Sequence, residues 1–382
     1  MSRILMIAAA ALALVGTATP ANAADVKRRN FGALQDGTTI EAITLTNRHG
    51  VSATVLTWGA TLQSLVAPDR KGKLADVVLG YADLASYERN SSFFGVTVGR
   101  VANRIAKGSF MLDGRPYTLP SVNGRVANLH GGARGFDKIV WQVESVKNGP
   151  TASVTFKHVS PDGDQGFPGT LTVHATYSLD EQDRLQIDYR ATTDKPTIVS
   201  MTNHSYFTMA GEDVGGGSDN LLTVFADGYT PVDKDLIPTG KIVPVAGTPF
   251  DFRTPRTVNA RVRDVRDPQI AIGRGYDHNF VLRDGRGAVR LAARLTDPAS
   301  GRMLELSTNQ PGLQVYSGNG LNGAQIGKAG RAYRQGDAVA LEPENFPDAV
   351  NHADFPSPRL DPGSEYRNVI VLKLSAGPAT KR

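Results

Sequence analysis

The chain has 382 residues, with 42 Lys and Arg against 37 Asp and Glu for a formal net charge of +5, and it is 40% hydrophobic and 21% charged. These proportions supply a sizeable core and exclude both wholesale disorder and a long helical rod. The absence of cysteine excludes disulfides, thiolate nucleophiles, Cys-ligated zinc and iron–sulfur clusters, and the densest basic runs, Lys27-Arg28-Arg29 and the dispersed Arg261 to Arg266, are too short to follow a phosphate backbone, so no nucleic-acid partner is expected.

In chain order, Arg3 precedes an apolar stretch from Ile4 to Val15, and small residues follow at Ala21-Asn22-Ala23. This pattern predicts an export signal cleaved between Ala23 and Ala24, and with it a periplasmic or secreted protein. The apolar run is too short to span a hydrocarbon core of about 30 Å, and no later segment approaches about 20 uninterrupted apolar residues, so no membrane anchor is expected.

Beyond the leader, short runs rich in β-branched and aromatic residues recur: Val154 to Lys157, Leu171 to Tyr177, Leu185 to Arg190 and Val369 to Leu374. Most alternate in polarity, which predicts strands. Asp113-Gly114, Asp162-Gly163, Asp284-Gly285 and Asp361-Pro362-Gly363 supply turns between antiparallel neighbours. Helical patterns are confined to Tyr81 to Glu88 and a turn near Thr254 to Val262. With no linker or repeat, the expectation for residues 24–382 is a single all-β domain, a large antiparallel β-sandwich.

Seven histidines carry most of the chemical signal, and none lies at a short metal-ligand spacing, so no metal is expected. His158 and His174 fall on strand patterns and read as solvent-facing. His130, before Gly131-Gly132, and His204, within Asn203-His204-Ser205-Tyr206-Phe207, read as pocket linings. In Tyr276-Asp277-His278-Asn279-Phe280, strand alternation sends Asp277 and Asn279 one way and His278 the other. Glu342 follows the apolar Val339-Ala340-Leu341, where partial burial raises its pKa towards that of a general base. Glu344 competes for this role but, nearer the turn at Pro347, reads as solvated.

Taken together, Gly99-Arg100-Val101-Ala102-Asn103-Arg104, Leu129-His130-Gly131-Gly132, Asp164-Gln165-Gly166-Phe167-Pro168-Gly169, Asn203-His204-Ser205-Tyr206-Phe207, Gly275 to Phe280, Gln310-Pro311-Gly312-Leu313-Gln314 and Leu341-Glu342 through Pro347-Asp348 resemble the aldose 1-epimerase (galactose mutarotase) family, in the family's order and over nearly all of the chain after the leader. The resemblance implies that family's β-sandwich, a monosaccharide substrate and no cofactor. It assigns Glu342 as the general base at the C1 hydroxyl and His204 as the general acid at the ring oxygen O5. Asn103, Arg104, His130, Asp277 and Gln310 match sugar-binding positions. Two departures stand out: Pro343-Glu344 follows the base where many relatives carry Thr-Gln or Ser-Gln, and Thr208-Met209 replaces Asn-Leu. Two other readings of the same residues are a non-catalytic periplasmic sugar-binding protein and a glycoside-active enzyme using Asp277 with Glu342 as its carboxylate pair.

Overall fold

The structure is a computed structural model that describes residues 24–90, 92–121 and 127–377, so the expected export signal lies outside the described residues. Strand periodicity is expressed directly. In Leu171–Asp180 every second side chain, from Leu171 through Val173, Ala175 and Tyr177 to Leu179, is buried, as a repeat of two residues requires. The expected strands fall within Thr151–Ser160, Leu171–Asp180, Arg184–Thr193 and Tyr366–Ala376.

Three main sheets build the fold, all with antiparallel pairing. The first five strands, Asp25–Ala33 to Leu74–Asp76, pair in chain order. A nine-stranded sheet centres on Arg184–Thr193, Tyr366–Ala376 and Arg302–Thr308. A six-stranded sheet runs Tyr206–Phe207, Val339–Glu344, Gly312–Tyr316, Asp277–Leu282, Ala226–Tyr229 and Val243–Pro244. One contiguous core joins them, with Leu45 and Leu65 from the first sheet, Tyr177, Ile187 and Leu372 from the second, and Phe280, Val315 and Leu341 from the third. This is the expected antiparallel sandwich.

Helices are as scarce as expected. Leu84–Arg89 forms one short helix capped by Asp83, and only a 3-10 turn, Val258–Ala260, occupies the second expected site. Pro268–Gly273 is a helix that hydrophobic periodicity misses, although Asp267 as cap and Pro268 in the first turn are its start signal. No helix among the described residues is long and apolar enough to cross a membrane. The expectation for His158 is corrected: its ring packs against Phe136 and Trp141 rather than facing solvent, and burial lowers its pKa.

Arg100 links the sandwich to its loops. Its guanidinium is buried and donates to the carbonyls of Ser160, Pro161, Pro168 and Gly169 and to the Ser160 hydroxyl, at 2.8 to 3.0 Å. One side chain thus satisfies the polar backbone of the connection between Thr151–Ser160 and Leu171–Asp180. It anchors the segment that continues to Asn103 and Arg104.

Candidate active site

A cleft of about 280 Å³ opens on the six-stranded sheet, lined among others by Phe93, Asn103, Arg104, His130, His204, Tyr206, Asp277, Tyr316, Gln325 and Glu342. Its floor follows from strand register. Glu342 lies opposite Gln314, which lies opposite Asn279, and one row along Ala340, Tyr316 and Asp277 are aligned. Val339 and Leu341 point from their strand into the core, leaving Ala340, Glu342 and Glu344 on the other face. The alternation at Asp277 holds: Asp277 lines the cleft, while His278 is fully buried against Tyr229 and Phe250.

One wall is a chain of polar contacts. Gln314 Nε2 donates to Asp277 Oδ1 at 2.7 Å, Arg104 Nη2 meets Asp277 Oδ2 at 3.3 Å, and Arg104 Nη1 donates to Asn103 Oδ1 at 3.1 Å. Asn103 Nδ2 then donates to Glu344 Oε1 at 3.2 Å, and the Asn103 amide donates to His130 Nδ1 at 3.1 Å. Asn103, His130 and Phe93 all have left-handed backbone, with φ of 60°, 52° and 57°. Such conformations are costly for residues other than glycine and persist where surrounding structure imposes them. Gly131 helps to do so, because a Cβ there would come within 1.8 Å of the Gly99 carbonyl oxygen.

His204 is placed by a two-way backbone ladder. Its amide donates to the Val96 carbonyl at 2.9 Å, and the Gly95 amide donates to the His204 carbonyl at 3.0 Å. The imidazole lies between Phe93, stacked with centroids 5.5 Å apart, and Tyr206, at 5.1 Å. Enclosure by these rings strips it of water, and burial lowers its pKa to about 4. Its Nε2 sits 3.4 Å from Glu342 Oε2. Glu342 is 2% exposed, and burial first, then the neighbouring charges of Glu344 and Asp277, push its carboxyl well above the usual carboxylate range. Both partners are therefore biased towards their neutral forms.

Two expectations are corrected here. Glu344 is not a solvated turn acid; it is fully buried on the same strand face as Glu342. The strand runs through Pro343 because Tyr206–Phe207 pairs only as far as Val339 and Ala340, so Pro343 has a strand partner, Leu313, on one side alone and its missing N–H interrupts no ladder there. Gln310 does not reach the cleft, since its amide donates to the Arg367 carbonyl at 3.0 Å and to Asn309. Gln314, four residues on and inside the strand Gly312–Tyr316, instead joins the site through its hydrogen bond to Asp277. Sequence reasoning also missed Phe93, which lies outside any strand, and Tyr316 and Gln325, which lie in the strands Gly312–Tyr316 and Asn322–Ile326 and reach the cleft only through the packing of distant segments.

His130, His204 and Glu342 converge from three distant segments, with one potential ligand atom of each within 4.8 Å of the others, a grouping that short-spacing arguments do not see. The Asn103 amide occupies the Nδ1 lone pair of His130 and so assigns the proton to Nε2. His130 thus serves as a hydrogen-bond donor, and the trio is suited to passing and steadying protons.

Arg104 and Asp277, each 12% exposed at the side chain, form a charged pair that offers both donors and acceptors to hydroxyl groups. Arg104→Ala is expected to raise KM about 10- to 100-fold, the effect of losing a charged hydrogen bond of roughly 1.5–3 kcal/mol. The change in kcat should be smaller. Steady-state kinetics check this, and a collapsed kcat at unchanged KM contradicts a binding role.

A buried histidine–carboxyl pair facing a cleft walled by directional polar groups is an arrangement suited to moving protons on a small polyhydroxylated molecule. Comparison with known proteins gives the class its family. The model of the aldose 1-epimerase family matches residues 41–373. Galactose mutarotase of Rattus norvegicus is 44% identical over 351 residues, covering 92% of this chain and 98% of its own, and aldose 1-epimerase of Escherichia coli K12 is 39% identical over 343 residues, covering 89% and 97%. Among solved structures, galactose 1-epimerase from Lactobacillus acidophilus superposes with a TM-score of 0.81 at 29% identity, covering 93% of this chain and 100% of that one. An aldose epimerase homologue from C. elegans gives 0.79 at 32%, covering 88% and 99%. The chain belongs to the aldose 1-epimerase family, a family of isomerases.

Proposed function

We propose that this protein is a mutarotase that interconverts the α and β anomers of free aldohexoses such as galactose and glucose, with Glu342 as general base and His204 as general acid. The observation that carries the reading is the 3.4 Å approach of His204 Nε2 to Glu342 Oε2 in a buried cleft. Opening a cyclic hemiacetal requires one proton to leave the C1 hydroxyl and another to reach O5, two oxygens on a single carbon. Two adjacent groups that share one proton meet that demand.

Burial favours neutral imidazole with protonated carboxyl, whereas Arg104 draws Glu342 towards its anion and Asp277 draws His204 towards imidazolium. From the imidazolium–carboxylate form, Glu342 takes the C1 hydroxyl proton, His204 delivers its proton to O5, and the C1–O5 bond breaks to give the open-chain aldehyde. The pair is left neutral, the arrangement that burial favours. Rotation about C1–C2 presents the other carbonyl face, and the same transfers run backwards to close the opposite anomer. His130, with Nε2 as donor, is placed to steady charge on the ring oxygen. Asn103, Arg104 and Asp277 hold the hydroxyl groups. A glycosidase reading is not favoured, because Asp277 is already engaged by Arg104 and Gln314.

Polarimetry on freshly dissolved α-D-glucose and α-D-galactose tests the proposal. Faster relaxation to the same final rotation as a buffer blank supports it, and tight binding without acceleration returns the protein to a sugar-binding role. The apolar stretch from Ile4 to Val15 with Ala21-Asn22-Ala23 supports export of the enzyme. N-terminal sequencing of protein from its own cells is expected to begin at Ala24, and a start at Met1 or Ser2 overturns export.

A further inference from the structure

Glu344 takes no part in the proton transfers above, yet it is the second carboxyl group on the cleft face of the strand that carries Glu342. It is 0% exposed, Oε1 accepts from Asn103 Nδ2, and Oε2 is buried without a partner. A carboxylate so placed lacks the hydrogen bonds that would compensate for lost water, so the neutral acid is the stable form. Asn103, which it touches, also holds Arg104 through Oδ1 and His130 through its backbone amide. Glu344 therefore sits behind both the proposed base and the sugar-binding wall.

We propose that Glu344 is a positioning residue, a neutral acid that braces Asn103 and keeps negative charge away from Glu342, and that its ionisation in alkaline solution suppresses turnover. The inference rests on the acid–base reading of Glu342 and His204. The charged and titratable groups around Glu344 are Glu342 on its own strand, Asp277 and Arg104 across the cleft, His130 beyond Asn103, and the Tyr366 hydroxyl from the nine-stranded sheet. Arg104 and the Asn103 hydrogen bond favour the anion, but burial outweighs them and pushes the Glu344 carboxyl up to about 8. Once ionised, Glu344 raises the proton affinity of Glu342. Glu342 then keeps the proton it shares with His204, and the carboxylate that must accept from the C1 hydroxyl is depleted.

The test is the pH dependence of kcat, by polarimetry, for the unaltered protein and Glu344→Gln, a replacement of nearly equal size. A single ionisation near 8 should lower turnover of the unaltered protein roughly tenfold between about pH 7 and about pH 9. The variant should lack that step. A variant that keeps the step overturns the proposal. Difference infrared spectroscopy of Glu342→Gln protein gives a second readout that does not require activity: a protonated-carboxyl signal should vanish with a midpoint near 8, and its absence at neutral pH overturns the proposal even if Glu344→Gln fails to fold. Failure of the unaltered protein to accelerate anomer exchange refutes the proposed function instead, while the infrared titration still decides the state of Glu344.

Discussion

Glu342→Gln is expected to lower kcat about 10³-fold, within the 10²–10⁴ range of a positioned acid or base, while calorimetry still detects sugar binding. The amide keeps the shape of the side chain but cannot accept a proton from the C1 hydroxyl. It also removes the group whose proton affinity the site raises, first of all by burial. The hydroxyl-binding wall of Asn103, Arg104 and Asp277 should survive, because these residues are held by one another, by Glu344 and by Gln314. The loss should therefore fall on kcat rather than on KM. Turnover within about threefold of the unaltered protein removes Glu342 from the mechanism.

His204→Asn should cost about 10²–10³-fold in kcat, because the amide cannot deliver a proton to O5. A direct check on the role, as distinct from packing, is chemical rescue. In His204→Ala the slot between Phe93 and Tyr206 should admit free imidazole, and added imidazole should restore part of the turnover in proportion to its concentration. A structural role for the ring predicts a lowered melting temperature and no rescue. Since His204 and Glu342 act on one proton-transfer step, the double variant should be little worse than the poorer single variant. Additive losses indicate that the two groups serve different steps.

Much of this candidate site was legible because side chains on strands obey parity. Asp277 and His278 separate onto opposite faces as alternation demands, and Glu342 lies on the cleft face because Val339 and Leu341 are committed to the core. The same rule, applied without register, fails at Gln310. Which glutamine meets the site depends on where the strand starts and on the Asp277 carboxylate that receives Gln314. Reading Glu344 as a turn acid failed for a related reason. Nearness to the turn at Pro347 suggests a solvated side chain, but the strand Val339–Glu344 runs through Pro343 and the partner Tyr206–Phe207 ends before it.

The sequence by itself determined the sandwich class and the family, and it offered Glu342 and His204 as the candidate pair, since these depend on local alternation, turn chemistry and motifs carried by contiguous residues. Tertiary structure alone decided the chemical state of the pair. Burial lowers the pKa of the His204 imidazole where Phe93, from a segment more than a hundred residues away, closes over it, and burial is likewise the first cause that raises the Glu342 carboxyl. Desolvation is set by what surrounds a group in space, and segments remote in the chain supply those surroundings.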